Sequence, residues 1–175
     1  MRSTPASKPS PVHFTGLLYR AHNPAWSREP LSGEGAARFG GRFNRIGRIA
    51  LYTSLAPETA LREANQVGTL QPTTLVAYQA DIGPLLNGRD AAALQPLGIT
   101  PAQLADPTWR DRMLAGKPVP TQDLAEVAIM QGYAGVVVPS YARGAPADAL
   151  NLILWDWEGR IMLVDDDDRL GLRNH

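Results

Sequence analysis

One carboxylate and a glycine-rich, arginine-bearing loop hold the residue types most suited to chemistry in this chain. Glu63 sits in the helix-like run Pro57-Glu-Thr-Ala-Leu-Arg-Glu63-Ala-Asn, with Ala60 at i−3 and Val67 at i+4 on its side of the helix. No cation stands three or four residues from it, whereas Glu58 has Arg62 at i+4. The spacing predicts an ordinary Glu58–Arg62 surface pair and a Glu63 turned toward the apolar side. An unpaired carboxylate there is costly unless something binds it; the plainer alternative is a partly exposed glutamate at the helix edge. The loop is Gly33-Glu-Gly-Ala-Ala-Arg38-Phe-Gly40-Gly41-Arg42-Phe43-Asn44-Arg-Ile-Gly47. Glycines are expensive to order, and such loops are found where backbone approaches a ligand closely. Arginine forks match phosphate oxygens, so the loop suits a pyrophosphate.

These residues need elements to position them. Strands are expected at 14–21 (reaching Arg20), 48–54 (carrying Tyr52), 74–82, 135–139 (ahead of Ser140) and 150–157 (opening near Asn151). Residues 23–47 read as a long loop with one short helical turn, and long loops in compact domains tend to be functional. A helix is expected over 57–66, with Ser54 as a start signal and Gly68 as a stop. Residues 83–89 read as a turn. Thr100-Pro-Ala-Gln103 is a capping box, Asp106-Pro107 opens a second short helix ending at Gly116, and 121–131 is an amphipathic helix stopped by Gly132. A turn at Glu158-Gly159 would let 160–164 complete a hairpin. Trp155 and Trp157 share one strand face and suit packing. Strands and helices mix without βαβ alternation, so the fold class is α+β. One domain over 14–165 is expected, with tails at 1–13 and 166–175.

Leu18-Tyr19-Arg20, the block from Gly40-Gly-Arg-Phe-Asn44 through Glu63, and Val138-Pro139-Ser140 together resemble the RES domain family, over about Leu17 to Trp157. The family takes its name from an arginine, a glutamate and a serine. The resemblance implies an ADP-ribosyltransferase-like fold, with a mixed or antiparallel split sheet and surrounding helices, and the toxin of a RES–Xre toxin–antitoxin pair acting on NAD+. It implies that Glu63 holds the 2′-hydroxyl of the nicotinamide ribose and stabilises the oxocarbenium-like centre left when nicotinamide departs. Arg20 and Arg42 would hold phosphates, and Tyr52 would stack on nicotinamide and orient the ribose. Ser140 would position the nicotinamide side or a phosphate, with Asn151 supporting the same site. The family often has Trp after the arginine of Arg42; Phe43 keeps an aromatic ring there. Read without the family, Arg20 is a strand-end arginine reaching solvent, Arg42 a loop arginine bonded to carbonyls, Tyr52 a core tyrosine and Ser140 a turn serine. The acceptor stays open between water, inorganic phosphate as a co-substrate, and a protein side chain. The implied partner is an Xre-type helix-turn-helix antitoxin that covers the site. A nonenzymatic module binding NAD+ or ADP-ribose is the reading from another class, and an RNA-modifying relative of the fold is a third.

Composition narrows the field. The chain has 175 residues, 44% of them hydrophobic, and 17 basic against 17 acidic side chains. Zero net charge without a basic stripe disfavours direct nucleic-acid binding. The absence of cysteine excludes disulfides and thiol nucleophiles. No signal peptide is visible at the N-terminus and no apolar run approaches the roughly 18 residues of a membrane span, so a cytoplasmic protein is expected. Gly33-x-Gly35-x-x-Arg38 lacks the third glycine of a dinucleotide fingerprint and there is no Walker lysine. His13, His22 and His175 lack partners at ligand spacing, so no metal is expected. Asp165–Asp168 reads as a solvated acidic tail, without the glycine and terminal glutamate of a calcium loop.

Overall fold

In the computed structural model, residues 10–66 and 71–164 are described. Alternating apolar residues build β1 (Val12–His22), whose Leu18 is fully buried. A 3₁₀ turn at Pro24–Trp26 and α1 (Glu34–Phe39) punctuate the long segment 23–47. β2 (Leu51–Ser54) is shorter than expected and leaves Ile49 exposed before it. Pro57 opens α2 (Pro57–Ala64), where its missing N–H costs nothing, and the N-cap is Ala56. The start signal expected of Ser54 is therefore not used.

β3 (Thr74–Asn87) runs straight through the expected turn at 83–89. Leu85 and Leu86 are buried, and 85–87 pair in parallel with β4 (Gly135–Pro139). Parallel neighbours need a long crossover. Here it holds α3 (Ala91–Leu94), α4 (Pro101–Leu104), α5 (Trp109–Leu114) and α6 (Pro120–Met130). The Thr100–Gln103 capping box forms as the sequence predicts. β5 (Leu150–Leu154) and β6 (Ile161–Val164) complete the sheet.

The strand order is β1-β2-β5-β4-β3-β6, and β1 also pairs with β3. That last pairing closes five strands into a ring, with β6 attached to β3. The expected split sheet is thus replaced by a closed one, because β3 is long enough to meet β1 along one edge and both β6 and β4 along the other. The expected 160–164 hairpin is also corrected. The turn forms, with the Arg160 N–H donating to the Trp157 carbonyl at 3.0 Å. Both edges of β5 are already taken by β2 and β4, so β6 pairs with β3 instead.

Two apolar clusters follow from strand alternation. One is almost wholly strand residues, including Leu18, Leu51, Tyr78, Leu152 and Leu154, and fills the ring. The other packs helices onto the outer face and includes Leu94, Leu104, Leu124, Val136 and Ile153. The mixed α+β class expected from the sequence holds. β1 begins at Val12, inside the expected N-terminal tail, while 1–9 and the acidic run Asp165–Asp168 lie outside the described residues. Among the described residues no helix is long and apolar enough to cross a membrane.

Candidate functional site

Three elements bring Glu63, Ser140 and Asn151 together. Glu63 is half-buried on the last turn of α2. Its Oε1 accepts from Ser140 Oγ at 2.5 Å and from Asn151 Nδ2 at 2.5 Å. Gln66, one turn on, donates its side-chain amide to Oε2. Ser140 follows β4 and is anchored by its own N–H, which donates to Ala149 O at 2.8 Å. Asn151 lies in β5 opposite Val138 of β4 and Ser54 of β2. Ser54 Oγ donates to Asn151 Oδ1 at 2.7 Å. Hydrogen bonds to a carboxylate are roughly twice as strong as neutral ones, so the group is held in one orientation. Of the two readings the sequence left open, apolar side or helix edge, Glu63 sits between them, half-buried and hydrogen-bonded to Ser140 and Asn151. Its expected surface pair Glu58–Arg62 does not form; Arg62 Nη1 donates to Gly144 O at 2.9 Å instead.

The second part of the site is Arg42. Its Nη1 donates to Leu104 O and Asp106 O, both at 2.8 Å. The guanidinium lies 4.6 Å from the Tyr141 ring centre and 5.7 Å from that of Trp109, within cation–π range. Burial lowers the Arg42 guanidinium from its usual value, and nearby Tyr141, Glu63, Tyr52 and Asp106 raise it again. Arg42 therefore shares an electrostatic neighbourhood with Glu63.

The glycine loop carries this arginine, and its backbone is tied on both sides of it and at Arg42 itself. Gln122 Nε2 donates to Gly41 O at 2.8 Å, Thr121 Oγ1 to Arg42 O at 2.5 Å, and Trp155 Nε1 to Phe43 O at 2.9 Å. Gly41 N–H donates to Asn44 O at 2.9 Å. The Asn44 side chain, wholly buried, donates to the carbonyls of Ala36, Arg45 and Arg48. Gly40 takes φ +70°, and a Cβ on Gly41 would lie 2.3 Å from Tyr52 Oη, so both positions require glycine. Arg48 grips Glu126 of α6 at 2.6 Å and 3.1 Å, and Arg45 pairs with Asp123.

Tyr52 and Arg20 are placed differently from what the resemblance implies. The Tyr52 hydroxyl accepts from Phe43 N–H at 2.9 Å and donates to Asn44 Oδ1 at 2.8 Å, and burial raises its pKa. Both hydrogen-bonding directions of that hydroxyl are spent on the loop. Arg20 follows Tyr19, which pairs with Ser54, so alternation puts Arg20 on the opposite face with Leu18. Its Nη1 donates to Pro30 O at 3.2 Å and Ser32 O at 3.0 Å, and Tyr78 Oη also donates to Pro30 O. Arg20 pins the loop across the end of the ring and makes no hydrogen bond or ion pair to the Glu63 group.

Reasoning from sequence missed Ser54, Gln66, Asn44, Trp109, Tyr141, Thr121 and Gln122. Pro57 was the available signal for Ser54: it sets the N-cap at Ala56 and leaves the serine free for another partner. Among the described residues no group of three or more His, Asp or Glu is placed to hold a metal.

The model of the RES domain matches residues 17–170. The chain belongs to the RES domain family. This RES domain is also similar to a chain in the crystal structure of the M. tuberculosis MbcT–MbcA toxin–antitoxin complex. The two share 20% identity, over 94% of this chain and 92% of that one, with a TM-score of 0.60. No curated protein matches the sequence.

Proposed function

We propose that this RES domain is the toxin of a toxin–antitoxin pair and that it breaks the nicotinamide–ribose bond of NAD+. The observation that carries the reading is the Glu63 carboxylate, fixed by Ser140 and Asn151 on one oxygen and close enough to the aromatic-flanked Arg42 to help hold its charge. In the proposed reaction the C–N bond breaks and nicotinamide leaves as a neutral molecule with the bonding electron pair. The ribose is left as an oxocarbenium ion, whose positive charge the preorganised carboxylate stabilises. A neutral leaving group needs no general acid, which fits a site with one carboxylate and no histidine. Arg42 holds a phosphate of the dinucleotide through donors other than the Nη1 hydrogens committed to the Leu104 and Asp106 carbonyls. The acceptor, water or inorganic phosphate, then adds to the ribose carbon and gives up a proton to solvent. The partner in this reading is an Xre-type helix-turn-helix antitoxin, and the similar solved fold comes from a toxin–antitoxin complex.

The test is NAD+ consumption by the purified chain, with and without inorganic phosphate, with products weighed by mass spectrometry. Nicotinamide release is expected; free ADP-ribose marks hydrolysis and a phosphorylated ADP-ribose marks phosphorolysis. Glu63→Gln keeps the size of the side chain and removes its charge. It is expected to lower kcat by about 10²- to 10³-fold, as for other preorganised electrostatic groups, while NAD+ still binds. A folded wild-type chain that leaves NAD+ intact would remove the reading and favour a protein-modifying transferase or a nonenzymatic binding module.

A further inference from the structure

Ser54 is buried, 3% exposed, in the strand between β1 and β5. Its hydroxyl caps no helix and donates to Asn151 Oδ1 at 2.7 Å. An asparagine amide has a donor end and an acceptor end, and the two nearly superimpose when it turns over. Glu63 Oε1 tolerates only the donor end, because Oδ1 against a carboxylate is a repulsion. The acceptor end then points to the other side, where the buried Ser54 lies. Ser54 is the cross-strand partner of Asn151, so the sheet register delivers a hydroxyl to that oxygen.

We propose that Ser54 is a positioning residue: by donating to Asn151 Oδ1 it fixes the amide with Nδ2 on Glu63, and so sets the carboxylate that serves the reaction. The role rests on the proposed NAD+ cleavage, whereas the orientation of the amide does not. Ser54→Ala takes away the donor to the half-buried Asn151 Oδ1. The Asn151 amide, held from one side only, then swings and loosens Nδ2 on Glu63 Oε1, leaving Ser140 as the firm donor to that oxygen and Gln66 on the other.

The experiment compares Ser54→Ala, Asn151→Ala and the double variant. Ser54→Ala is expected to lower kcat roughly tenfold, the scale of one lost hydrogen bond to a charged group, with KM for NAD+ within about twofold. In the Asn151→Ala background it is expected to have no further effect on kcat, because the residue through which it acts is gone. The side-chain amide resonances of Asn151 in nitrogen-15 spectra provide a second readout and are expected to shift in Ser54→Ala. Equal losses in both backgrounds, an unchanged kcat, or unmoved amide resonances would each overturn the proposal. If the wild-type chain leaves NAD+ intact, the functional reading falls while the amide resonances still decide whether Ser54 orients Asn151.

Discussion

Replacing Tyr52 with Phe separates a loop-holding tyrosine from a substrate-orienting one. The substitution keeps the ring and deletes one oxygen. That oxygen accepts from Phe43 N–H at 2.9 Å and donates to Asn44 Oδ1 at 2.8 Å. Phe43 is 2% exposed and Asn44 is 0% exposed, so water does not readily replace either contact. An unsatisfied buried donor or acceptor costs about 1–3 kcal/mol; two in one site, with partial relaxation, come to about 2–4 kcal/mol. For a domain of this size each kcal/mol moves Tm by about 2–4 °C, giving a drop of roughly 5–15 °C. Asn44 also holds the Ala36, Arg45 and Arg48 carbonyls, so loosening it frees the loop that aims Arg42. KM for NAD+ is then expected to rise roughly tenfold, with a smaller fall in kcat. Thermal unfolding followed by steady-state NAD+ kinetics makes the comparison. A variant melting within about 2 °C of wild type, but with kcat collapsed, would refute the loop-holding role and restore the hydroxyl to the substrate.

Gly41→Ala should give little soluble protein, because its Cβ would lie 2.3 Å from Tyr52 Oη and 2.6 Å from Asn44 Oδ1; a soluble variant with wild-type Tm would show that the loop can give way. Burial pushes the Tyr78 and Tyr141 hydroxyls from 10 up to about 12. The unfolded chain ionises first, so their contribution is whole below pH 10 and is lost as pH rises from 10 to about 12. Phenolate absorbance of the native chain should trail that of the denatured chain across this window, and coincident curves would contradict the burial.

What could be read from the sequence was local. The Thr100–Gln103 box followed from four adjacent residues and the strand carrying Tyr52 from alternation, whereas helical spacing left Glu63 open between the apolar side and the helix edge. Alternation tells which face a tyrosine takes, but not that its hydroxyl will meet a loop nine residues back. The closed ring depends on β1 pairing with β3 across some sixty residues, and nothing in the chemistry of either strand announces that contact. The 160–164 hairpin failed for a related reason: its turn residues are right, but the edge it would join is already occupied. Ser54 was read as a helix signal because its partner Asn151 stands 97 residues away.

The site divides its tasks between a tethered anion and a tethered cation. Ser140 and Asn151 place two donors on one oxygen of Glu63, which spreads its charge and fixes its direction. A carboxylate so held is a poor nucleophile but a good counter-charge, since it need not reorganise when a cation forms beside it. Arg42 is fixed in the same manner by two carbonyls and two aromatic faces. Both tethers run to β4–β5 or to the crossover helices, not to the long loop pinned by Arg20. The crossover segment between β3 and β4, which lengthens the chain between Glu63 and Ser140, thus supplies Leu104, Asp106 and Trp109 to the arginine. In the proposed reaction that segment belongs to the machinery that orients the dinucleotide, and its loss would cost Arg42 its aim while leaving the Glu63 group intact.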